Sequence, residues 1–468
     1  LERSTAVRGD AEAIVTPADR LSYRALAARV EACARALHAI GIRKGDFVGI
    51  LMGNDANWLT VFYAAATLGA VTVPVNTRFK SAELAFCLKQ ADCKALVLVD
   101  RFLDIDFAAY LREAEPAVDA TLPGTALPLL EDVIVMGGDI PRAGMSWQAF
   151  IARGESVPVE TIRECAAQVA PDDLLYIQFT SGTTAYPKGV MLTHDSMLRN
   201  AHAAGARIGI TPDDRYFNCR PFFHVAGSTL SALMALVYGA TLVSLPTFEA
   251  GPALAMMARE RCTLTSGNDT IFQMLMGHAD CDPSKLALRG GWAAAGPETM
   301  RKIIEVLGAR EICVSYGLSE ASPNVVTTDH RDPVEVRIAG SAPPLPGVEV
   351  RIADPDTCAP LAADTPGEIQ VRGWNVMGGY YRNDEANANP FTSYFQAVWD
   401  TTYNPSVVSS SEHYNAIQPS PLSPFMYASQ QLMVDAALRN ISVFSSSGDG
   451  GSGFELANGL DNLSNSRA

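Results

Sequence analysis

Two kinds of apolar pattern take turns between residues 21 and 99, and this alternation restricts the fold strongly. Residues 21–40, 57–68 and 81–90 carry apolar side chains at helical spacing. Between and after them, residues 47–51, 71–75 and 95–99 are short apolar runs of strand length. Repeated helix–strand order needs crossover connections, so it predicts an α/β layer with a parallel sheet. The alternation resumes from Asp195 to about Ser315, which predicts a second layer of the same kind. Residues 122–158 are richer in Pro and Gly and weakly periodic, and are expected to form a surface excursion. From Gly340 to Tyr381 the segments are short and β-like, with strands expected at 347–352 and 367–373.

At 468 residues the chain suits roughly two to three domains. Hydrophobic residues at 48% and charged residues at 19% describe a protein with a sizeable core. A net charge of −15 argues against general binding to nucleic acid or anionic membranes, which both call for basic patches. The nine cysteines form no CxxC pair and are odd in number, so free thiols and a reduced, cytoplasmic setting are expected. The apolar stretch from Leu59 to Val75 is broken by Thr, Gly and Pro, and reads as a buried helix running into a strand, not a transmembrane segment. The chain starts at Leu1, which leaves a removed leader open.

Chemistry enters at Thr180-Ser181-Gly182-Thr183-Thr184-Ala185-Tyr186-Pro187-Lys188-Gly189, directly after the strand-like run 174–179. Hydroxyls and free N–H groups on a glycine-containing turn can wrap phosphate oxygens, and a lysine adds a point charge. The spacing differs from the Walker loop, whose Gly-Lys is followed at once by Ser or Thr and opens a helix. Here Gly189-Val190-Met191-Leu192 follows, so the chain is expected to return as a second strand. A plain Ser/Gly/Thr hairpin turn is the alternative.

Further segments join it: Pro221-Phe222-Phe223-His224-Val225-Ala226-Gly227, Ala293-Ala294-Ala295-Gly296-Pro297-Glu298, Tyr316-Gly317-Leu318-Ser319-Glu320, and Gly367-Glu368-Ile369-Gln370-Val371-Arg372-Gly373 with Met377-Gly378-Gly379-Tyr380-Tyr381 behind it. In this order and spacing, over about residues 1–391, the chain resembles the adenylate-forming superfamily of acyl-CoA synthetases, luciferases and peptide-synthetase adenylation domains. The resemblance implies a large N-terminal domain of two βα-layered subdomains plus a small distorted β-barrel. It implies that Thr180, Ser181, Gly182, Thr183, Thr184 and Lys188 hold the β- and γ-phosphates of ATP. Ala295, Gly296 and Pro297 would flank the adenine, Tyr316 and Gly317 would lie against it, and Ser319 would reach the α-phosphate. Glu320 would ligate Mg²⁺, with Lys188 and Glu320 as the catalytic pair. His224 and Gly227 would line the carboxylate pocket, and the histidine favours the acyl- or aryl-CoA synthetases over peptide-synthetase domains. On residue type alone, His224 reads as a core histidine, Tyr316 as a half-buried core tyrosine and Glu320 as solvated surface. Leu230, Leu233, Met234 and residues 270–274 are candidate acyl-pocket walls, although core packing explains them equally well.

The chain departs from the family pattern in two places. Ala185 stands where the family usually has glycine, which restricts the loop or costs about 1 kcal/mol. After about Phe391 the composition changes to Ser- and Asn-rich, and Lys302 is the last lysine of the chain. The acidic strand motif, hinge and lysine-bearing small domain that the family places there are not visible, so slow adenylation is expected. Residues 392–468 instead resemble an internal strand–helix–strand piece of the sedolisin (serine-carboxyl) peptidases, with Asp449 matching the oxyanion-hole aspartate. The nucleophile and acid–base pair of those peptidases are missing.

Taken together, the sequence predicts ATP-dependent activation of a small carboxylic acid, fatty or aryl, to an acyl-adenylate, with coenzyme A as second substrate. An inactive fused chain that only binds nucleotide, and a peptidase fragment, are the alternatives.

Overall fold

The computed structural model describes residues 1–180, 187–355, 357–363, 365–384 and 387, together with the backbone of Val407–Ser409. Two sheets carry the architecture. One has seven strands, in the order Gly189–Thr193, Leu174–Phe179, Val71–Pro74, Phe47–Leu51, Cys93–Val99, Asp132–Met136 and Met145–Ser146. It is parallel except at the hairpin Leu174–Phe179/Gly189–Thr193. The other has eight: Asn324–Thr327, Glu311–Gly317, Gly290–Ala294, Leu264–Asn268, Arg215–Asn218, Thr241–Ser244, Glu12–Val15 and Arg20–Ser22. The two layers follow the two alternating regions, with one exchange. The early hairpin Glu12–Val15/Arg20–Ser22 joins the eight-stranded sheet, with Glu12–Val15 running parallel to Thr241–Ser244.

The helices form where the pattern places them. Helix Tyr23–Ala39 starts at Ser22, whose hydroxyl accepts the Ala25 N–H at 3.2 Å, a standard N-cap. Its buried side chains include Tyr23, Leu26, Val30, Cys33 and Leu37, one apolar stripe at helical spacing. The chain then turns at Gly41, whose φ of +91° a residue with a Cβ adopts only under strain. Helix Ala56–Thr67 is buried almost throughout and runs through Leu68 into strand Val71–Pro74. No helix among the described residues is long and apolar enough to cross a membrane. All nine cysteines are free thiols, six of them buried.

Two expectations need correction. Residues 122–158 are not a simple surface excursion, because Asp132–Met136 inserts as a parallel strand beside Cys93–Val99 with Val133, Ile134 and Val135 buried. Flanking Pro and Gly hid a strand whose burial comes from its sheet neighbours. The expected distorted barrel is an antiparallel sheet instead: Val348–Ala353 pairs with Glu368–Gly373, and Val407–Ser409 adds a third strand. No closed barrel forms among the described residues. Apart from Val407–Ser409, the strand–helix–strand expectation for the tail and its Asp449 lies outside them.

Aromatic packing joins the layers where it matters. Trp58 lies 5.5 Å from Phe222 and 5.4 Å from Phe62, whose ring meets Tyr176 edge-on at 5.6 Å. The Tyr176 hydroxyl donates to the Phe222 carbonyl at 3.1 Å. An aromatic side chain buries on the order of 150–250 Å², worth roughly 4–6 kcal/mol gross per ring. Segment 221–227 is thereby held against the strand that leads into the glycine/hydroxyl loop.

Candidate functional site

The hairpin expected around the loop is present. Phe179 pairs with Gly189 and Ile177 with Met191. The Lys188 carbonyl accepts the Thr180 N–H at 3.0 Å and the Thr180 hydroxyl at 3.4 Å, which closes the base of the loop. Ser181, Gly182, Thr183, Thr184 and Ala185 lie outside the described residues.

Segment 377–381 docks along the free edge of Gly189–Thr193. Gly378 N–H donates to Met191 O at 2.9 Å, Met191 N–H to Gly379 O at 3.0 Å, and Tyr381 N–H to Gly189 O at 2.8 Å. This seats the Tyr380 side chain, 3% exposed, under Lys188, whose Nζ lies 5.0 Å from the ring centroid. The Tyr380 hydroxyl donates to Glu320 Oε1 at 3.0 Å, and Met377 N–H donates to the Glu320 carbonyl at 2.9 Å. Glu320 is 2% exposed, and its Oε2 has no partner among the described residues. Burial raises the Glu320 carboxyl above the usual carboxylate range, against smaller lowering effects of hydrogen bonds and the Lys188 charge. Burial lowers the Lys188 ammonium, with the Glu320 charge opposing it. No carboxylate lies within ion-pair distance of Lys188 among the described residues. A phenol thus stands between a buried cation and a buried carboxylate, both with bonding capacity to spare. A hard cation suits the free carboxylate oxygen, and an anion suits the ammonium.

The residues expected on the nucleotide side sit at adjoining strand ends. Tyr316, half-buried, and Gly317 end the strand Glu311–Gly317. A Cβ at Gly317 would come within 2.1 Å of the Pro323 carbonyl, so only glycine fits. Ser319 and Glu320 occupy the single turn Ser319–Ala321, and Asn200 fixes it by donating to the carbonyls of Ala321 at 3.2 Å and Asn324 at 2.9 Å. On the next strand, Gly290–Ala294, the chain passes through Ala295 and Gly296 into helix Pro297–Leu307. Pro297 fills the first helical position, and Gly296 N–H donates to Asp269 Oδ2 at 3.3 Å. Both turns follow the carboxyl ends of neighbouring strands, where open α/β sheets place their ligands.

Asn54 anchors the histidine segment: its Oδ1 accepts Phe222 N–H at 2.7 Å, and its Nδ2 donates to Arg220 O at 2.9 Å. His224 caps the short helix Val225–Gly227, its Nδ1 accepting the Ala226 N–H at 3.1 Å. The neutral ring therefore carries its proton on Nε2, an assignment made from this bond. His224 is open to solvent yet hemmed in by protein mass. This desolvation, with a smaller push from the Arg220 cation, holds the imidazole at about 4. The core-histidine alternative is set aside, since the side chain is exposed. A Cβ at Gly227 would come within 2.1 Å of the Pro221 carbonyl. Leu230, Leu233 and Met234 are all buried in the main core, whereas Met274 is 49% exposed on helix Asp269–Gly277.

Sequence reasoning did not single out Tyr380 or Arg220 as site residues. The Gly-Gly-Tyr-Tyr run offered a weak signal, since paired glycines permit close backbone docking. An arginine in the apolar context Cys219-Arg220-Pro221-Phe222-Phe223 offered another.

Comparison with known proteins places this geometry in a family. The AMP-binding enzyme model matches residues 1–381. YngI of Bacillus subtilis (strain 168), provisionally described as an acyl-CoA synthetase, is 32% identical over 396 residues, covering 82% of this chain and 72% of the relative. The 3-[(3aS,4S,7aS)-7a-methyl-1,5-dioxo-octahydro-1H-inden-4-yl]propanoyl:CoA ligase of Rhodococcus jostii (strain RHA1) is 33% identical, covering 83% of this chain and 73% of its own. The medium-chain acyl-CoA ligase ACSF2 of Bos taurus is 32% identical, with 80% of this chain aligned to 63% of its length. Among solved structures, the inhibitor-bound N-terminal domain of FACL13 from Mycobacterium tuberculosis superposes with a TM-score of 0.67 at 26% identity, covering 82% of this chain and 90% of that one. With a match running from residue 1 to residue 381, the chain belongs to the AMP-binding, adenylate-forming enzymes, and its relatives place it among their acyl-CoA ligases.

Proposed function

We propose that this chain activates a small carboxylic acid with ATP and passes the acyl group to the thiol of coenzyme A. A carboxylate oxygen attacks the α-phosphorus, the bond to the β-phosphate oxygen breaks, and pyrophosphate leaves. The thiol sulfur then bonds to the acyl carbon, AMP departs with the carboxylate oxygen, and the thiol proton is lost. The observation that carries this reading is the buried Lys188–Tyr380–Glu320 arrangement beneath the loop base. Lys188 offsets negative charge on the phosphates, in a water-poor setting where that charge acts strongly. Thr180, with Ser181, Gly182, Thr183 and Thr184, supplies the donors around them, and Ser319 reaches the α-phosphate. Tyr316 and Gly317, with Ala295, Gly296 and Pro297, accept the adenine. His224, neutral at pH 7, offers its Nε2–H to the acid's carboxylate without placing a second cation beside it, and Gly227 lets the backbone pass close by.

Mg²⁺ fits the donor set at one point. Glu320 Oε2 is buried and unpartnered, and no group of three or more His, Cys, Asp or Glu ligands exists among the described residues. A cation held by Glu320 would complete its coordination from phosphate oxygens and water. When bound, it would neutralise developing phosphate charge.

We place the end of the AMP-binding domain near residue 391, where the composition becomes Ser- and Asn-rich. Because the composition changes abruptly near residue 391, an inactive, nucleotide-binding fused chain is the second reading. The test is ATP–pyrophosphate exchange across a carboxylic-acid panel, paired with ATP binding by calorimetry and with Lys188→Ala as control. Acid-dependent exchange abolished by Lys188→Ala supports activation. ATP binding without exchange for any acid supports the second reading.

A further inference from the structure

A second group of unsatisfied polar atoms lies under the histidine segment. Arg220 Nε and Nη2, Trp292 Nε1, the Tyr216 hydroxyl and the Ser266 hydroxyl are all shielded from solvent and make no well-aligned hydrogen bond among the described residues. Tyr216 and Ser266 are 0% exposed and Trp292 is 5% exposed. The atoms belong to one neighbourhood. The Arg220 guanidinium lies 4.4 Å over the Trp292 ring, and Ser266 and Trp292 are register partners on adjacent strands. The Tyr216 hydroxyl lies within hydrogen-bonding reach of Ser266, Ser231 and Trp292 and feels the Arg220 charge, although none of these contacts is well aligned.

The composition of the group leans towards donors. Guanidinium and indole nitrogens can only donate, whereas the two hydroxyls both donate and accept. No carboxylate lies within ion-pair distance of Arg220 among the described residues, and none of its guanidinium nitrogens donates a hydrogen bond to them. Arg220 is half-buried, and each shielded N–H left without a partner is costly. Its shielded Nε and Nη2 therefore ask for an acceptor oxygen. It also lies in the right place for one. Arg220 stands just past the end of strand Arg215–Asn218 and four residues before His224, which feels its charge. Trp292 belongs to the strand that leads to the Ala295–Gly296 turn.

We propose that this donor cluster forms the tail end of the acid-binding cleft, and that the preferred acid carries an acceptor oxygen in its tail, as a carbonyl or a second carboxylate. The inference rests on the acid-activation reading above and names the substrate class for that site. Arg220 acts as the specificity-determining residue, with Trp292, Tyr216 and Ser266 completing the oxygen's environment.

The test compares hexanoate with 5-oxohexanoate and hexanedioate, and decanoate with decanedioate. Affinity is measured by calorimetry on the full chain, and kcat/KM by pyrophosphate exchange. One or two charge-assisted hydrogen bonds predict a preference of about 10- to 100-fold for an oxygen-bearing acid at one of the two lengths. Arg220→Leu and the gentler Arg220→Gln should collapse that ratio to within about threefold, and Trp292→Phe should reduce it partly. Thermal melts identify any variant that fails to fold, and the ratio is then read from the remaining variants. The oxo acid and the diacid separate a neutral acceptor from an anion, and preference for either supports the inference. Plain acids binding as well or better at both lengths would overturn it and leave water as the cluster's partner. A ratio unchanged in Arg220→Leu and Arg220→Gln, with all acids weakened alike, would also overturn it and assign Arg220 to the reacting carboxylate. If no acid binds or exchanges while ATP still binds, the activation reading itself has failed and this inference falls with it.

Discussion

Tyr380 donates a 3.0 Å hydrogen bond to Glu320 Oε1 from a side chain that is almost wholly buried. The bond satisfies one oxygen of a carboxylate that burial otherwise penalises, and the same ring presents its face to the Lys188 ammonium. One aromatic residue therefore stabilises both signs of charge at a site with little access to water.

Removing the hydroxyl alone tests this double role. Tyr380→Phe keeps the ring under Lys188 but leaves Glu320 with two unpartnered buried oxygens. Stability is expected to fall by about 1–3 kcal/mol, the cost of an unmade bond to a buried polar group. Urea denaturation measures it, and an unchanged midpoint would contradict the assignment.

Glu320 should tie stability to pH in a definite direction. Its carboxyl is raised above the ordinary value of 4.5 in the fold. Its stabilising contribution is therefore present below the unfolded value and lost as pH rises through the folded one. Glu320→Gln should abolish that loss, making the ligand-free protein no less stable than wild type at pH 7. The same change should reduce pyrophosphate exchange on the order of 10²-fold. Melting curves across pH 4–8, run beside exchange assays, read both effects.

His224 works in the opposite sense. Its ring sits at about 4 in the fold against 6.5 ordinarily. The unfolded chain takes up a proton first, so stability should decline as pH falls from about 6.5 towards 4. His224→Asn retains a helix-capping side chain and should flatten that portion of the melting profile. Exchange should show no inflection near pH 6.5 attributable to this residue. Such an inflection in wild type that disappears in His224→Asn would refute the neutral assignment.

Gly227 is a packing constraint beside the histidine. A methyl group there would come within 2.1 Å of the Pro221 carbonyl, a backbone atom with little freedom to retreat. Gly227→Ala should destabilise the protein by about 1–3 kcal/mol, as overpacking does. It should also raise the KM for the acid more than that for ATP, because it moves the His224 segment and not the loop. Steady-state kinetics on each substrate distinguishes the two effects.

Much of this was legible in the order of residues. Periodicity placed the helices Tyr23–Ala39, Ala56–Thr67 and Ser81–Gln90 to within a residue or two, because each buries one apolar stripe. The hairpin at Thr180–Lys188 was legible from a turn composition set between two apolar runs. Strand Asp132–Met136 was not, since its context of Pro and Gly resembles a loop and its strand character depends on Cys93–Val99 alongside. Arg220 passed unnoticed because an isolated arginine has no pattern. Only its stacking over Trp292, with two shielded and unpartnered nitrogens among the described residues, makes it unusual.

The sequence by itself determined which elements form, in what order, and which turn has a composition suited to phosphate, because spacing and turn composition are local properties of the chain. The tertiary structure decided that Glu12–Val15 crosses to the larger sheet, that segment 377–381 closes against Gly189–Thr193, and that Tyr380 meets both Lys188 and Glu320. Those meetings depend on strand order and on which surfaces lose their water together, and no stretch of residues read along the chain encodes either one.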